Sequence, residues 1–224
     1  MIRPTLALFA LAAASLAPLA EPLPARATIT YEARLGGMPV GEAVQRWTLA
    51  QGQYKLDTEI KPILGPRIRY QSSGAVGNGG LKPADYAEYR GGDTPRNQVR
   101  FDWTARQVSY GAPDALKNAK LDDGAQDLNA LPFQLAWLGD KSPARVQVVT
   151  GRKVRDDRFA LAAPASVSLK GKTVAARVWR VPEGGDATEF WLAPELGNLP
   201  VKIVRRDDHG ELQLVAKQLD YQTD

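Results

Sequence analysis

The chain carries a single imidazole, His209, no thiol and two methionines. Nucleophilic or metal chemistry would therefore have to be assembled from hydroxyls, carboxylates and that one ring. His209 lies in Asp207-Asp208-His209-Gly210. Two carboxylates and an imidazole in one short loop outline a metal site, yet there is no second His and no EF-hand register. A serine device needs a G-x-S-x-G elbow between a strand and a helix, whereas Ser72-Ser73-Gly74 sits inside an alternating strand pattern. The expected role of His209 is that of a solvated turn residue. Asp122-Asp123 and Asp156-Asp157 offer carboxylate pairs for glycoside cleavage, but both fall where turns are expected, and solvation accounts for them. Neither G-x-x-x-x-G-K-[ST] nor G-x-G-x-x-G occurs. The expectation is a protein with no catalytic residues, no metal and no cofactor.

Binding chemistry has more candidates. Arg67 and Arg69 share one strand face and are placed to receive an anionic head group, or to oppose Asp57 and Glu59 on a solvated face. Arg152-Lys153-Arg155 and Arg205-Arg206 are the other basic groups. Trp47, Trp103, Trp137, Trp179 and Trp191 are dispersed; a β-rich core can absorb them if their N–H groups find partners. Tyr70, Phe101, Trp103, Leu131, Leu135 and Trp191 are the residues expected to face an apolar ligand.

These side chains must be positioned mostly by strands. In 224 residues, 44% apolar and 24% charged content can bury one core, while 20 Gly and 16 Pro imply many turns. The dominant period is two. Residues 28–35 and 54–61 alternate polar with apolar, and Val99, Phe101 and Trp103 share one side opposite Arg100 and Asp102. Further strands are predicted over 43–49, 67–76, 84–89, 146–150, 158–162, 167–169, 174–181, 188–192, 201–205 and 212–219. Gly77-Asn78-Gly79-Gly80, Gly91-Gly92-Asp93, Glu183-Gly184-Gly185-Asp186 and Asp208-His209-Gly210 punctuate them as hairpin or short-loop signals. Leu128, Leu131, Leu135 and Leu138 form one helical stripe, with Asp127 or Asn129 as cap and Gly139 past its end. The fold class expected is mostly β: a strongly curved antiparallel meander, half-open and barrel-like, with one principal α-helix packed on it. That helix either covers the sheet or plugs a cavity.

Residues 1–27 have the pattern of a secretory signal. Arg3 supplies the positive start, residues 6–16 form an uncharged apolar run, and Ala25-Arg26-Ala27 fits an A-x-A cleavage site. Ala20 is a second possible end, with Pro18 in the less suitable place. Eleven apolar residues are too few to span a bilayer, which needs about 20. The remaining 28–224 are expected to form a single β-rich domain with no transmembrane span, periplasmic or secreted. The net charge of +4 is interspersed, so nucleic acid is not an expected partner.

Four segments carry a family resemblance. Leu35-Gly36-Gly37-Met38-Pro39-Val40-Gly41-Glu42-Ala43 resembles a G-x-P-V-G-E hairpin, and Val99-Arg100-Phe101-Asp102-Trp103 an R-F-D-W strand. Gly151-Arg152-Lys153-Val154-Arg155 and the run from Phe190 through Pro194, Gly197 and Pro200 to Ile203 complete the pattern. Together they resemble the exported bacterial proteins called domain of unknown function 3108, over nearly all of residues 28–224. That resemblance implies no activity and no catalytic residues. Where many members carry an aromatic residue, this chain has Asn198. The Phe190–Ile203 hairpin is also similar to one in periplasmic lipoprotein carriers, which implies a half-open barrel whose apolar concavity is covered by a helix. Without a ligand the same hairpin still makes physical sense, with Pro194 opening a turn, Gly197 at positive φ and Pro200 starting an edge strand.

Three functions follow as expectations. The first is a non-enzymatic envelope protein that binds or carries an apolar or amphipathic ligand, lipid or acyl chain, with a lipoprotein or another envelope component as partner. The second is a protein- or glycan-interaction module using a sheet edge or loops. The third is a carboxylate-based hydrolase. An open apolar cavity, a filled interior and two convergent carboxyls in a polar cleft would respectively mark them.

Overall fold

From residue 26 onward, burial follows the sequence period. In β1 (Arg26–Leu35), Ala27, Ile29, Tyr31 and Ala33 are buried while the residues between them reach solvent, as a sheet wetted on one face requires. The computed structural model describes residues 23–181, 187–207 and 210–223. β2 (Met38–Ala50), β3 (Gln53–Pro62), β4 (Ile68–Gly77), β5 (Gly80–Arg90), β6 (Pro95–Asp102), β7 (Gln107–Ala112) and β8 (Ala115–Lys120) continue the meander. A two-residue strand β9 (Gln126–Asp127) and the helix α1 (Leu131–Leu138) interrupt it. Then follow β10 (Ala144–Val149), β11 (Val154–Leu161), β12 (Ala165–Leu169), β13 (Lys172–Arg180), β14 (Ala187–Ala193), β15 (Leu199–Asp207) and β16 (Gly210–Gln222).

Hydrogen bonding orders the strands β8-β7-β6-β5-β4-β3-β2-β1-β16-β15-β14-β13-β11-β10-β9, with β12 added to β13. Pairing is antiparallel except between β9 and β10. The order has two ends, β8 and β9, so the sheet is a curved, unclosed barrel-like one. Side-chain amides bridge the gap that ladders leave. Gln147 on β10 donates to Lys120 O at the end of β8 (3.1 Å) and accepts from Asp122 N–H (3.1 Å). Gln126 on β9 donates to Leu81 O on β5 at 2.8 Å. The β1–β2 turn is Gly36-Gly37, both at positive φ (56° and 87°), which only glycine adopts without strain at two successive positions.

The sequence pattern left β7 and β8 unassigned. Val108 and Tyr110 do alternate, but the hairpin turns at Pro113-Asp114 without a glycine, and β8 has no buried residue. Pro200 also differs from expectation, because β15 lies between β14 and β16 rather than at an edge. It is tolerated because its pairing with Leu192 follows a register shift and β16 joins β15 only from Lys202 onward. Asn198 has φ 55°, a left-handed conformation for which Asn is among the best side chains, and its Oδ1 accepts from Arg177 at 3.2 Å.

The helix is shorter and more deeply placed than the Leu stripe predicts. Leu128 precedes it in a turn, and Ala130, not Asn129, occupies the cap position without a side-chain capping bond. Asp127 Oδ1 does that work from upstream, accepting from the N–H groups of Asn129 (2.8 Å) and Ala130 (2.9 Å). Residues 131 to 136 are all buried, so α1 lies inside the curl rather than on its surface. Residues 23–27, within the stretch expected to be removed, are built into the fold. Leu23 and Ala27 join the core, Trp47 Nε1 donates to Pro24 O at 2.8 Å, and Ala25 bonds Gln222 and Leu49 through its backbone.

Candidate ligand-binding cavity

The interior of the curl is layered along the strands. At one end α1 fills it: Phe133 stacks on Trp47 with ring centroids 4.5 Å apart, and Trp47 on Tyr54 at 5.4 Å. Beside the helix, Asp127 is fully buried. Ser72 Oγ donates to its Oδ2 at 2.6 Å and itself lies 3.1 Å from Tyr54 Oη. Burial pushes this carboxyl up to about 6, against the opposing effect of its hydrogen bonds. Burial also raises the Tyr31 and Tyr54 hydroxyls above their usual range.

A polar belt crosses the middle. Tyr31 Oη donates to Pro200 O (2.7 Å) and lies 3.1 Å from Gln45 Oε1, Gln45 donates to Thr58 Oγ1 (3.1 Å), and Thr58 donates to Asn129 Oδ1 (2.7 Å). Asn129 Nδ2 then donates to Leu56 O at 3.1 Å. Inward-facing polar groups survive here because each is paired. Their sequence signal is weak: Gln45 and Thr58 occupy inward positions of strands whose alternation marks those positions as apolar.

Beyond the belt the interior is open, a cavity of about 490 Å³, within the size range of small-molecule sites. Gln45, Thr58 and Asn129 form its floor, and Ile60, Phe190, Ile203, Leu212 and Leu214 supply apolar wall. Tyr70, Tyr86, Thr150, Glu88, Arg152, Lys153, Arg155 and Arg205 line it toward the hairpin ends. Among the described lining residues, four cations face one carboxylate. The Gly151-Arg152-Lys153 turn is held by Thr150 Oγ1, which accepts from the N–H of Arg152 (3.2 Å) and of Lys153 (3.0 Å). Gly151 is required there, since a Cβ would come within 2.2 Å of Asn97 Cβ. Arg155 pairs with Asp157 at 2.9 Å, and Asn97 donates to Glu88 at 3.1 Å. Burial raises the Tyr70 hydroxyl, as does nearby Glu88, whereas Arg205, Arg152 and Arg90 act in the opposite direction.

Of the six residues expected to face a ligand, Tyr70 lines the cavity. Leu131 and Leu135 are packed within the filled end. Phe101 and Trp103 belong with a smaller cluster around Tyr86, Val99 and Val108, where Trp103 donates to Pro83 O at 2.6 Å and Lys82 lies over its ring. Trp191 is half-buried, donating to Glu189 beneath the Lys202 ammonium. Among the other tryptophans, Trp179 is fully buried and its N–H has no hydrogen-bond partner among the described residues. Arg67 and Arg69 are occupied, by Glu59 (3.7 Å) and Asp93 (3.2 Å) respectively. Asp122, Asp123, Asp156 and Asp157 each form an ion pair, with Lys120, Arg106, Arg145 and Arg155. His209 lies outside the described residues. Sequence reasoning missed Phe190, Ile203 and Arg152 as cavity residues, although all three stand in segments that carried the family resemblance. Their shared location needed the β10–β11 turn to be brought opposite β14 and β15.

A family model described as "Protein of unknown function (DUF3108)" matches residues 29–217. Among solved structures, the chain is similar to a beta-barrel-like protein of domain of unknown function DUF1849 from Brucella abortus. The TM-score is 0.57 at 9% identity, over 91% of this chain and 100% of that one. That likeness concerns the fold. No curated protein matches the chain. No helix among the described residues is long and apolar enough to cross a membrane.

Proposed function

The chain belongs to the DUF3108 family, whose function is unknown, and from that premise we propose that it is a non-enzymatic binder or carrier of an amphipathic ligand such as a lipid or acyl chain. The observation that carries this reading is the open half of the barrel: apolar wall from Ile60, Phe190, Ile203 and Leu214 above a fully paired polar floor. Such walls favour an apolar chain by the area they remove from water, about 25 cal/mol per Å². A neutral apolar dye, N-phenyl-1-naphthylamine, tests it. Saturable binding is expected, and Ile203→Trp, which fills the cavity, is expected to abolish it while the protein stays folded. Absence of saturable binding by the folded parent rejects the proposal.

A second reading, an interaction module, is favoured by one observation. Met38, Ile63 and Leu64 are 70%, 69% and 87% exposed at hairpin tips. A partner docked there would leave the cavity empty, so dye binding separates the two. The compartment proposed is the bacterial periplasm or exterior, supported by the apolar run at residues 6–16. Incorporation of Leu23 and Ala27 into the core, with Pro24 and Ala25 hydrogen-bonded to the sheet, supports cleavage after Ala20 rather than Ala27. Intact mass of the exported protein, beginning at Glu21 or at Thr28, decides between them.

A further inference from the structure

We infer that the ligand is an amphipathic anion whose head group, a carboxylate or a phosphate, sits at the cavity mouth against Arg152 while its chain lies along Phe190 and Ile203. The inference rests on the cavity reading above and specifies the class of ligand. The inner wall is apolar, whereas the described lining of the mouth includes Arg152, beside an Arg155 that Asp157 already pairs. Glu88 already accepts from Asn97. Arg152 is exposed and forms no side-chain ion pair among the described residues, and the Thr150 turn fixes its backbone at the mouth. The Tyr70 hydroxyl stands among the same lining residues as a neutral donor.

The test is displacement of N-phenyl-1-naphthylamine by four probes of equal chain length, each below its micelle concentration: dodecanoate, dodecyl phosphate, dodecanol and dodecyltrimethylammonium. The anions are expected to bind on the order of tenfold more tightly than dodecanol, the gain of one charge-assisted contact. The cation should bind most weakly, and added salt should narrow the difference. Arg152→Glu should remove the anion advantage, read as the ratio of anion to dodecanol affinity. Dodecanoate ahead of dodecyl phosphate assigns a fatty-acid head, and the reverse order a phospholipid-type head. Equal affinity of alcohol and anions, or an anion advantage untouched by Arg152→Glu, overturns the head-group assignment while leaving the cavity reading intact. Failure of all four probes and of the dye itself, with the protein folded, overturns both.

Discussion

The filled and open halves of the curl are made by the same strands, often by residues two apart. On β3, Tyr54 and Leu56 pack against the filled end, Thr58 joins the polar belt, and Ile60 lines the cavity. On β2, Trp47 stacks beneath Phe133, and Gln45, one inward step away, forms the floor. The difference is therefore not one of fold but of what enters the curl: α1 fills one half and stops at the belt. A curved sheet excludes water only where side chains or a helix occupy it, and the belt lets an apolar core border a cavity without leaving an unpaired polar group between them.

That contrast can be broken most forcefully in the filled half. Phe133→Ala should cost about 3–5 kcal/mol, as large aromatic truncations in close-packed cores do, measured by denaturant unfolding. A cost near zero would mean that α1 is not the core of that end. Next comes Asp127, whose folded pKa is raised. Its protonated form favours the fold, so this contribution is fully present below about pH 4 and is lost as pH rises through about 6. Asp127→Asn, which cannot ionise, should gain stability relative to the parent by on the order of 3 kcal/mol between pH 4 and pH 8. A difference that does not vary with pH would show that the carboxyl is not desolvated.

The sharpest pairing matches Leu135→Trp against Ile203→Trp. In the close-packed half the larger ring should cost about 1–3 kcal/mol, whereas in the open half it has room and should cost less while blocking dye binding. Equal costs would erase the distinction between the halves. The smallest effect is expected at the hairpin tip, where Leu64→Ser should shift stability by no more than about 0.5 kcal/mol.

The meander was legible because alternation is local: Ile29, Tyr31 and Ala33 announce a buried face without reference to any other strand. The helix was legible in existence but not in depth. Leu128 to Leu138 reads as one stripe, but Phe133 and Ala136 fill the remaining faces, and only the surrounding sheet determines that all sides are buried. The cavity was the least legible feature. Tyr70 reaches the cavity from a strand whose alternation is local, whereas Arg152 and Phe190 come to line it through pairings among β10, β11, β13 and β14 that no single segment encodes. Polar residues such as Thr58 and Gln45 at inward positions were the available hint, since a strand that spends inward places on hydrogen-bonding groups is lining something other than plain core.

β1 takes one neighbour, β2, from immediately after it and the other, β16, from residues 210–222. In kinetic terms the second is a contact of large sequence separation at the middle of the sheet, and topologies of that kind fold slowly. Until residues 210–222 are available, β1 and β15 both present bare edges, the templates on which chains join one another. β16 is thus the strand that covers the open edges of both β1 and β15, and a chain deprived of it should assemble with its own copies.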